Sequence, residues 1–229
     1  MAWTAVILAA GKGTRMASCK PKALQKLAGR PLIGHIMSTL DRSGVDGVVI
    51  VHSTGTKNEF KKELRTSEKI SYVEQKEPLG TAHALKIALP FVKTNNLLVL
   101  LGDVPLLSGP TINKLKHKLQ NNHLVVLTAS LDEPSGYGRI NKDKEGRPRS
   151  IIEELDCNTE QKKIKEINSG IMAFNTKSVK KLVEKIEPNP KKNEYYLTDS
   201  IEIAYHDGLR TAMFKTKEEE VFGVNSKQD

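Results

Sequence analysis

The chain has 229 residues, of which 38% are hydrophobic and 28% charged, and its formal net charge is +9. This composition is typical of a globular domain, and the apolar runs AVILAA and NLLVLL fall far short of the ~20 residues of a membrane helix. The start, MAWTAVILAAGKG, lacks the basic leader of a secretory signal. Because Cys19 and Cys157 lie far apart, neither a disulfide framework nor a zinc site is predicted, and we expect a cytoplasmic protein.

The first 130 residues alternate predicted strands and helices. Buried strands are predicted at residues 5–10, 45–53, 70–75, 96–101 and 123–130. The helices between them include an amphipathic one that ends at Gly44 and another that Thr81 is expected to cap. This alternation indicates an α/β fold with a mostly parallel central sheet flanked by helices.

The pattern changes after about residue 130. A hairpin is predicted with its turn near residues 143–146, and the later elements are three strands and two helices. The strands fall at residues 166–175, 211–216 and 221–225, and the helices at 176–186 and 195–208. Residues from about 131 onward therefore form a smaller lobe that is continuous with the core.

Three polar motifs follow predicted strands, which is where open α/β sheets bind their ligands. The first is LAAGKGTRM, in which Gly11 and Gly13 let the backbone wrap closely around a phosphate or a base. Arg15 within it and Lys22 just after it add positive charge. The spacing matches neither a P-loop nor GxGxxG, and a glycine-rich turn of this kind can also be purely structural.

The second motif, EQKEPLGTAHA, ends a strand with Gln75, whose amide can read the hydrogen-bonding edge of a pyrimidine. Gly80 and Thr81 stand at a helix start, where free N–H groups point outward. The alternative is an ordinary capped helix. We interpret His83 as structural, because no second histidine accompanies it at ligand spacing.

The third motif is LLGDVPL, where Asp103 follows an apolar strand. A lone carboxylate there is costly unless it meets a cation or a donor, and one carboxylate plus substrate phosphates is a common way to hold Mg²⁺. A capping aspartate at a strand end is the alternative.

Taken in order, these motifs resemble the sugar-nucleotide pyrophosphorylase superfamily. The segments GYGRI, IIEE, EINSGI, NEYYLTD and VFGVN narrow the resemblance to the uridylyltransferase domain of bifunctional N-acetylglucosamine-1-phosphate uridylyltransferase/glucosamine-1-phosphate acetyltransferases. It implies one Rossmann-like nucleotidyltransferase domain over residues 1–229, with a nucleotide-binding part to about 130 and a sugar-binding part from about 131. Those proteins continue into a β-helix acetyltransferase domain of hexapeptide repeats. This sequence has none, so we expect a single activity or an excised domain.

The resemblance also implies roles for individual residues. For nucleotide binding these are Leu8, Ala10, Gly11, Gly13, Lys22, Gln75, Gly80, Thr81 and Asp103. The catalytic contacts to the triphosphate are Arg15 and Lys22, and the Mg²⁺ ligands are Asp103 and Asn225. For sugar binding they are Gly138, Glu153, Asn168, Tyr196 and Thr198, with Glu154 as the alternative to Glu153.

The implied reaction joins UTP to N-acetylglucosamine 1-phosphate by in-line attack on the α-phosphorus, giving UDP-N-acetylglucosamine for peptidoglycan and cell-wall biogenesis. One alternative is another pair of nucleotide and sugar 1-phosphate, with CTP or dTTP. A second is a basic nucleic-acid-binding module, which the net charge of +9 permits. We expect no nucleic-acid or membrane partner; the oligomeric state stays open, and a monomer is compatible with the lack of a β-helix.

Overall fold

The computed structural model describes residues 1–11, 20–64 and 67–224. The strands in this part of the chain are β1 (Trp3–Ala9), β2 (Lys26–Leu27), β3 (Arg30–Pro31), β4 (Gly47–Ser53), β5 (Ile70–Gln75), β6 (Asn96–Leu101), β7 (Leu124–Ser130), β8 (Arg139–Lys142), β9 (Pro148–Ile152), β10 (Glu166–Asn175) and β11 (Thr211–Lys215). The helices are α1 (Leu32–Arg42), α2 (Lys57–Glu63), α3 (Thr81–Ala88), α4 (Gly109–Leu119), α5 (Thr159–Lys162), α6 (Thr176–Lys185) and α7 (Asp199–His206).

One large sheet organises the fold, with the strand order β11-β7-β10-β6-β1-β4-β5. The strands β6, β1, β4 and β5 run parallel to one another, and β11 runs parallel to β7. β10 is antiparallel to both of its neighbours, β6 and β7. The hairpin β8–β9 joins the sheet through β10. The predicted α/β fold with a mostly parallel sheet is therefore confirmed.

The central strands are apolar throughout because helices cover both faces of the sheet. Ala5 and Ile7 of β1 are fully buried in the cluster formed with α1, α2 and α4. Val6, the residue between them, is fully buried in the opposite cluster, which includes side chains of α3, α6 and α7. Both faces of β1 are thus occupied, which explains its unbroken apolar run. No helix in the described ranges has the length and apolar character needed to cross a bilayer.

Three local predictions are wrong. The strand predicted from residue 221 is absent up to residue 224, where Val224 N makes a single 2.9 Å hydrogen bond to the carbonyl of Asp103. Thr81 is not the cap of α3: Gly80 holds that position, and the Thr81 hydroxyl instead accepts a 3.0 Å hydrogen bond from Leu197 N. The helix predicted from residue 195 begins only at Asp199, because the backbone before it pairs with the segment that precedes α3.

That pairing joins the two parts of the chain. Tyr195 N donates to the carbonyl of Leu79 at 2.8 Å, and Ala82 N donates to the carbonyl of Tyr195 at 2.9 Å. Gly80 lies between these bonds at φ 97° and ψ 177°, a conformation essentially restricted to glycine. A Cβ on Gly80 would stand 2.5 Å from the carbonyl oxygen of Tyr195, closer than such atoms approach. The predicted division of the chain at about residue 130 stays a prediction.

We predict that Gly80→Ala lowers the free energy of unfolding by more than about 2 kcal/mol, because it combines backbone strain with a clash against backbone. Gly146→Ala is the matched control: Gly146 has a φ of +78°, but a Cβ there meets nothing within 4 Å. The control should lose about 1 kcal/mol from the left-handed backbone alone. Urea unfolding of both variants measures the difference, and equal losses would contradict the close approach to Tyr195.

Candidate active site

The parallel strands β1, β5 and β6 end at the same edge of the sheet, where two adjoining cavities open. The first has a volume of about 500 Å³ and the second of about 630 Å³. Residues that line both cavities are Leu8, Thr81, Leu101, Asp103, Glu194 and Tyr196. Because the two cavities share these walls, two substrates can lie side by side with their reacting groups near Asp103.

The first cavity brings together the described residues that were predicted to bind the nucleotide. These are Leu8, Ala10, Gly11, Lys22, Gln75, Gly80, Thr81 and Asp103, and all of them line it. Gly13 and Arg15 lie outside the described residues. Pro78, Ala84 and Glu194 also line the cavity, although the sequence analysis gave them no role.

Gln75 is the buried polar side chain at the end of β5, with 7% of its surface exposed. Its amide nitrogen donates to the carbonyl of Gly80 at 3.1 Å and lies 3.0 Å from Nδ1 of His83. Since a carbonyl only accepts hydrogen bonds, the contact with Gly80 identifies which end of the amide is the nitrogen. The amide oxygen is then the group that Gln75 offers to a ligand in the first cavity.

Asp103, which lines both cavities, forms an ion pair with Lys22, which lines the first. Asp103 comes two residues after β6, and Lys22 opens a short 3-10 turn that the buried Ala23 and Leu24 anchor in the core. The side chains of Lys22 and Asp103 are 15% and 25% exposed, so both charges can be reached from the cavities. An ammonium group can neutralise phosphate charge, while the adjacent carboxylate can hold a cation.

The described residues contain no cluster of three or more acidic, histidine or cysteine side chains that would hold a metal by themselves. Mg²⁺ is commonly held by one or two carboxylates together with substrate phosphates, and Asp103 at the shared wall fits that arrangement. Asn225, the second predicted ligand, lies outside the described residues.

The second cavity brings together the five residues predicted to bind the sugar, Gly138, Glu153, Asn168, Tyr196 and Thr198. The wall of this cavity also carries three charged side chains that were not predicted from the sequence, Asp156, Lys191 and Lys192. The run KKNE that follows the proline-rich loop was the signal for the two lysines, but nothing in the sequence placed that loop over the cavity.

The structure separates the roles of Glu153 and Glu154. The Glu153 carboxylate accepts a 3.0 Å hydrogen bond from the Thr198 hydroxyl, and a Cβ on Gly138 would lie 3.6 Å from each of its oxygens. Glu154 is held by the buried Arg139, whose Nη2 lies 2.7 Å from Oε2 in an ion pair that is not a well-directed hydrogen bond. Glu153 is therefore the carboxylate available beside the Gly138 backbone, which supports the choice of Glu153 over Glu154.

Asn168 stands at an irregularity of β10, where the pairing with β7 shifts between Asn168 and Met172. Its backbone N donates to the carbonyl of Gly138 at 2.8 Å, and its side-chain oxygen accepts a 3.0 Å hydrogen bond from Gly170 N. The side chain is nearly buried, with the residue 9% exposed. With its oxygen occupied, the amide of Asn168 offers its N–H donors to the second cavity.

Glu153 beside this cavity and the nearby Asp199 both have raised pKa values. Burial raises the pKa of Glu153, and the hydrogen bond from Thr198 and the charge of Lys192 offset part of that effect. Burial, followed by the negative charge of Glu153, raises the pKa of Asp199 from 3.8 to about 6. Asp199 is the first residue of α7, directly after Thr198.

Asp199 gives a prediction for the pH dependence of stability. Because the folded pKa of about 6 exceeds the unfolded value of 3.8, this group stabilises the fold fully below about pH 4, and that contribution is lost as the pH rises through 6. We predict that Asp199→Asn raises the free energy of unfolding at pH 7.5 by about 1 kcal/mol, allowing for partial solvent screening, and leaves it unchanged near pH 3.5.

Urea unfolding at both pH values measures this difference. The control is Asp132→Asn, which removes a carboxylate from a side chain that is 94% exposed and should give no gain at pH 7.5. The explanation is wrong if Asp199→Asn stabilises the protein equally at the two pH values.

Comparison with known proteins agrees with this geometry. Residues 5–167, more than half of the chain, match the MobA-like NTP transferase domain family. The bifunctional protein GlmU of Clostridioides difficile (strain 630) is 40% identical over 99% of this chain and 50% of its own length. The GlmU of Francisella tularensis subsp. novicida (strain U112) is 41% identical with the same coverages. The chain thus spans about half the length of the curated relatives it matches.

A solved structure from Bacillus anthracis, described as a glucose-1-phosphate thymidylyltransferase in complex with a sucrose, has the same fold. It superposes with a TM-score of 0.79 at 21% identity, covering 94% of this chain and 87% of that chain. The resemblance drawn from the sequence motifs is confirmed by the matches to GlmU proteins. With two adjoining cavities at the carboxyl ends of its parallel strands, the chain belongs to the MobA-like NTP transferase domain family and is a nucleotidyltransferase.

Proposed function

We propose that this chain transfers the uridylyl group of UTP to N-acetylglucosamine 1-phosphate, giving UDP-N-acetylglucosamine and pyrophosphate in the cytoplasm with Mg²⁺. One observation carries the proposal: two cavities lined by the predicted nucleotide and sugar residues meet at Asp103, which forms an ion pair with Lys22 of the first cavity. The proposal also rests on the motifs that resemble the uridylyltransferase domains and on the relatives named GlmU, of which this chain spans half.

The first cavity suits a uracil ring. The amide oxygen of Gln75 would accept from N3–H of the base, and the N-terminus of α3 directly after Gly80 favours a neighbouring carbonyl of the base. The glycine allows the base to approach the main chain closely. Cytosine presents an unprotonated N3 at the same place, so the amide oxygen disfavours it.

The transfer requires positioning more than acid–base chemistry. An oxygen of the sugar 1-phosphate attacks the α-phosphorus of UTP in line; a new P–O bond forms while the bond to the β-phosphate oxygen breaks, and pyrophosphate leaves with its electron pair. The attacking oxygen is already anionic near neutral pH, so no general base is needed. The Lys22 ammonium lies where it can stabilise negative charge on the phosphates. Bound Mg²⁺, held through Asp103, supplies further charge neutralisation.

The second cavity suits an acetamido sugar. The free N–H donors of Asn168 match the acetamido carbonyl, and the Glu153 carboxylate can accept from the acetamido N–H or a ring hydroxyl. A glycine is needed at residue 138 on the wall of this cavity, since a Cβ there would lie 2.9 Å from Cγ2 of Ile151.

dTTP is a second candidate nucleotide. Thymine presents the same N3–H and carbonyl edge to Gln75 as uracil, so the amide does not separate UTP from dTTP. A panel of UTP, dTTP and CTP against N-acetylglucosamine 1-phosphate and glucose 1-phosphate, read by pyrophosphate release, tests the whole assignment. The proposal requires UTP with N-acetylglucosamine 1-phosphate to give the highest kcat/KM.

We predict a preference of about 10- to 100-fold or more for N-acetylglucosamine 1-phosphate over glucose 1-phosphate in kcat/KM. The reason is that each unpaired buried polar group costs about 1–3 kcal/mol when the acetamido group is missing. Asn168→Ala should reduce the preference, mainly by lowering kcat/KM for the acetamido sugar. Equal values for both sugars in the unmutated protein would refute the sugar assignment but not the nucleotidyl transfer.

We predict that Asp103→Asn lowers kcat at saturating UTP by at least about tenfold, equivalent to about 1.4 kcal/mol of lost transition-state stabilisation. The substitution keeps the shape of the side chain but removes its charge. Asp132→Asn, which removes an exposed carboxylate, is the control and should keep full activity. A variant with near-normal kcat across a Mg²⁺ titration would rule out the metal role of Asp103.

A further inference from the structure

The segment that follows β11 forms part of the wall of the second cavity. It contains a short 3-10 helix, Glu218–Val221, and the residues Val221 and Gly223 line the cavity. In the described part of the chain, no residue after Tyr196 lines the first cavity. The segment therefore borders the site proposed for the sugar 1-phosphate and not the site proposed for the base.

The Glu220 carboxylate anchors this segment to the start of α4. Its Oε2 accepts a 3.0 Å hydrogen bond from Ser108 N, and its Oε1 accepts one of 3.0 Å from the Thr111 hydroxyl. Ser108 is the N-cap of α4, where a negative charge is favourable. Burial raises the pKa of Glu220, but the hydrogen bonds from Ser108 and Thr111 outweigh that effect and the pKa is lowered. The anchor is therefore a charged group near neutral pH, and its hydrogen bonds are of the stronger, charge-assisted kind.

Two further contacts fix the residues that follow Glu220. The Val221 side chain is buried in the core, with 1% of the residue exposed. Val224 N donates to the carbonyl of Asp103 at 2.9 Å. The segment from Glu220 to Val224 thus runs beside the loop from Asp103 to Ser108, which links β6 to α4, and contacts it at both ends.

We propose that Glu220 is a positioning residue for the sugar 1-phosphate, because it holds residues 221–223 in the wall of the second cavity through the start of α4; this inference rests on the proposed function. Glu220 itself lines neither cavity, so it acts through Val221 and Gly223. Without its two hydrogen bonds, one end of the wall segment is released. The expected signature is weaker binding of the sugar 1-phosphate with unchanged binding of the nucleotide.

The experiment measures the KM for N-acetylglucosamine 1-phosphate at saturating UTP and the dissociation constant of UTP by calorimetry. Glu220→Ala and Glu220→Leu remove both acceptors with different bulk, so that one informative variant remains if the other fails to fold. Glu220→Gln keeps an acceptor for Ser108 N and an amide group beside the Thr111 hydroxyl, which can itself accept. The exposed Glu219 on the same 3-10 helix gives the matched control Glu219→Ala. Thermal unfolding identifies the folded variants.

We expect the KM for the sugar 1-phosphate to rise about three- to tenfold in the Ala and Leu variants, the effect of one net hydrogen bond, with the dissociation constant of UTP unchanged. The Gln variant should restore most of the KM, and Glu219→Ala should behave like the unmutated protein. The Val224 amide, followed by hydrogen exchange, should exchange faster in the Ala and Leu variants only.

A purely structural role of Glu220 gives a different result. It would lower the unfolding temperature and the amount of active enzyme, but it would leave the KM for the sugar 1-phosphate unchanged. That outcome in the folded Ala and Leu variants would overturn the proposal. An equal loss of affinity for UTP and for the sugar 1-phosphate would overturn it as well.

Failure of the proposed function is distinguishable. If the unmutated protein prefers another nucleotide or another sugar 1-phosphate, that function is wrong, and the same two constants are measured with the preferred pair. A KM for that sugar 1-phosphate that rises in the Ala and Leu variants and recovers in the Gln variant still supports the role of Glu220. A KM that does not move contradicts it.

Discussion

The antiparallel placement of β10 between β6 and β7 is the constraint on which the whole cleft depends. Because β10 runs against β6, its first residues lie at the edge where β1, β5 and β6 have their carboxyl ends. Asn168 therefore stands on the same edge as Gln75 and Asp103, although it comes from the later part of the chain. A parallel strand in that position would bring its other end to the cleft.

The two amides of the cleft are held in opposite senses by backbone groups. A carbonyl at Gly80 takes a hydrogen of Gln75, whereas an N–H at Gly170 takes the oxygen of Asn168. One cavity thus offers an amide oxygen and the other offers amide N–H groups. Since these backbone partners are fixed by the fold, the proposed recognition of a base on one side and an acetamido group on the other would need little reorganisation.

Hydrogen bonds also connect the walls of the two cavities. The hydrogen bonds of Tyr195 with Leu79 and Ala82, and that of Leu197 with the Thr81 hydroxyl, tie the start of α3 and the residue Leu79 before it to the segment before α7. Thr198 continues this chain of contacts to Glu153. These hydrogen bonds hold the backbone beside the first cavity and the side chains of the second in a fixed relative position.

The sequence by itself determined the α/β class, because strands buried on both faces leave unbroken apolar runs between amphipathic helices. It also supplied many of the residues that line both cavities, since chemistry concentrates after strand ends and the motifs stand there in order, but not Asp156, Lys191 and Lys192. It failed at Thr81, whose hydroxyl is not the cap of α3 but accepts from Leu197 N, more than a hundred positions away. It also failed at the strand predicted from residue 221, whereas the ion pair of Glu154 with the buried Arg139 supports the choice of Glu153 made from the sequence. Local propensity encodes strands, helices and turns, but which acceptor meets which donor is set by contacts between distant segments, and only the tertiary structure decided those.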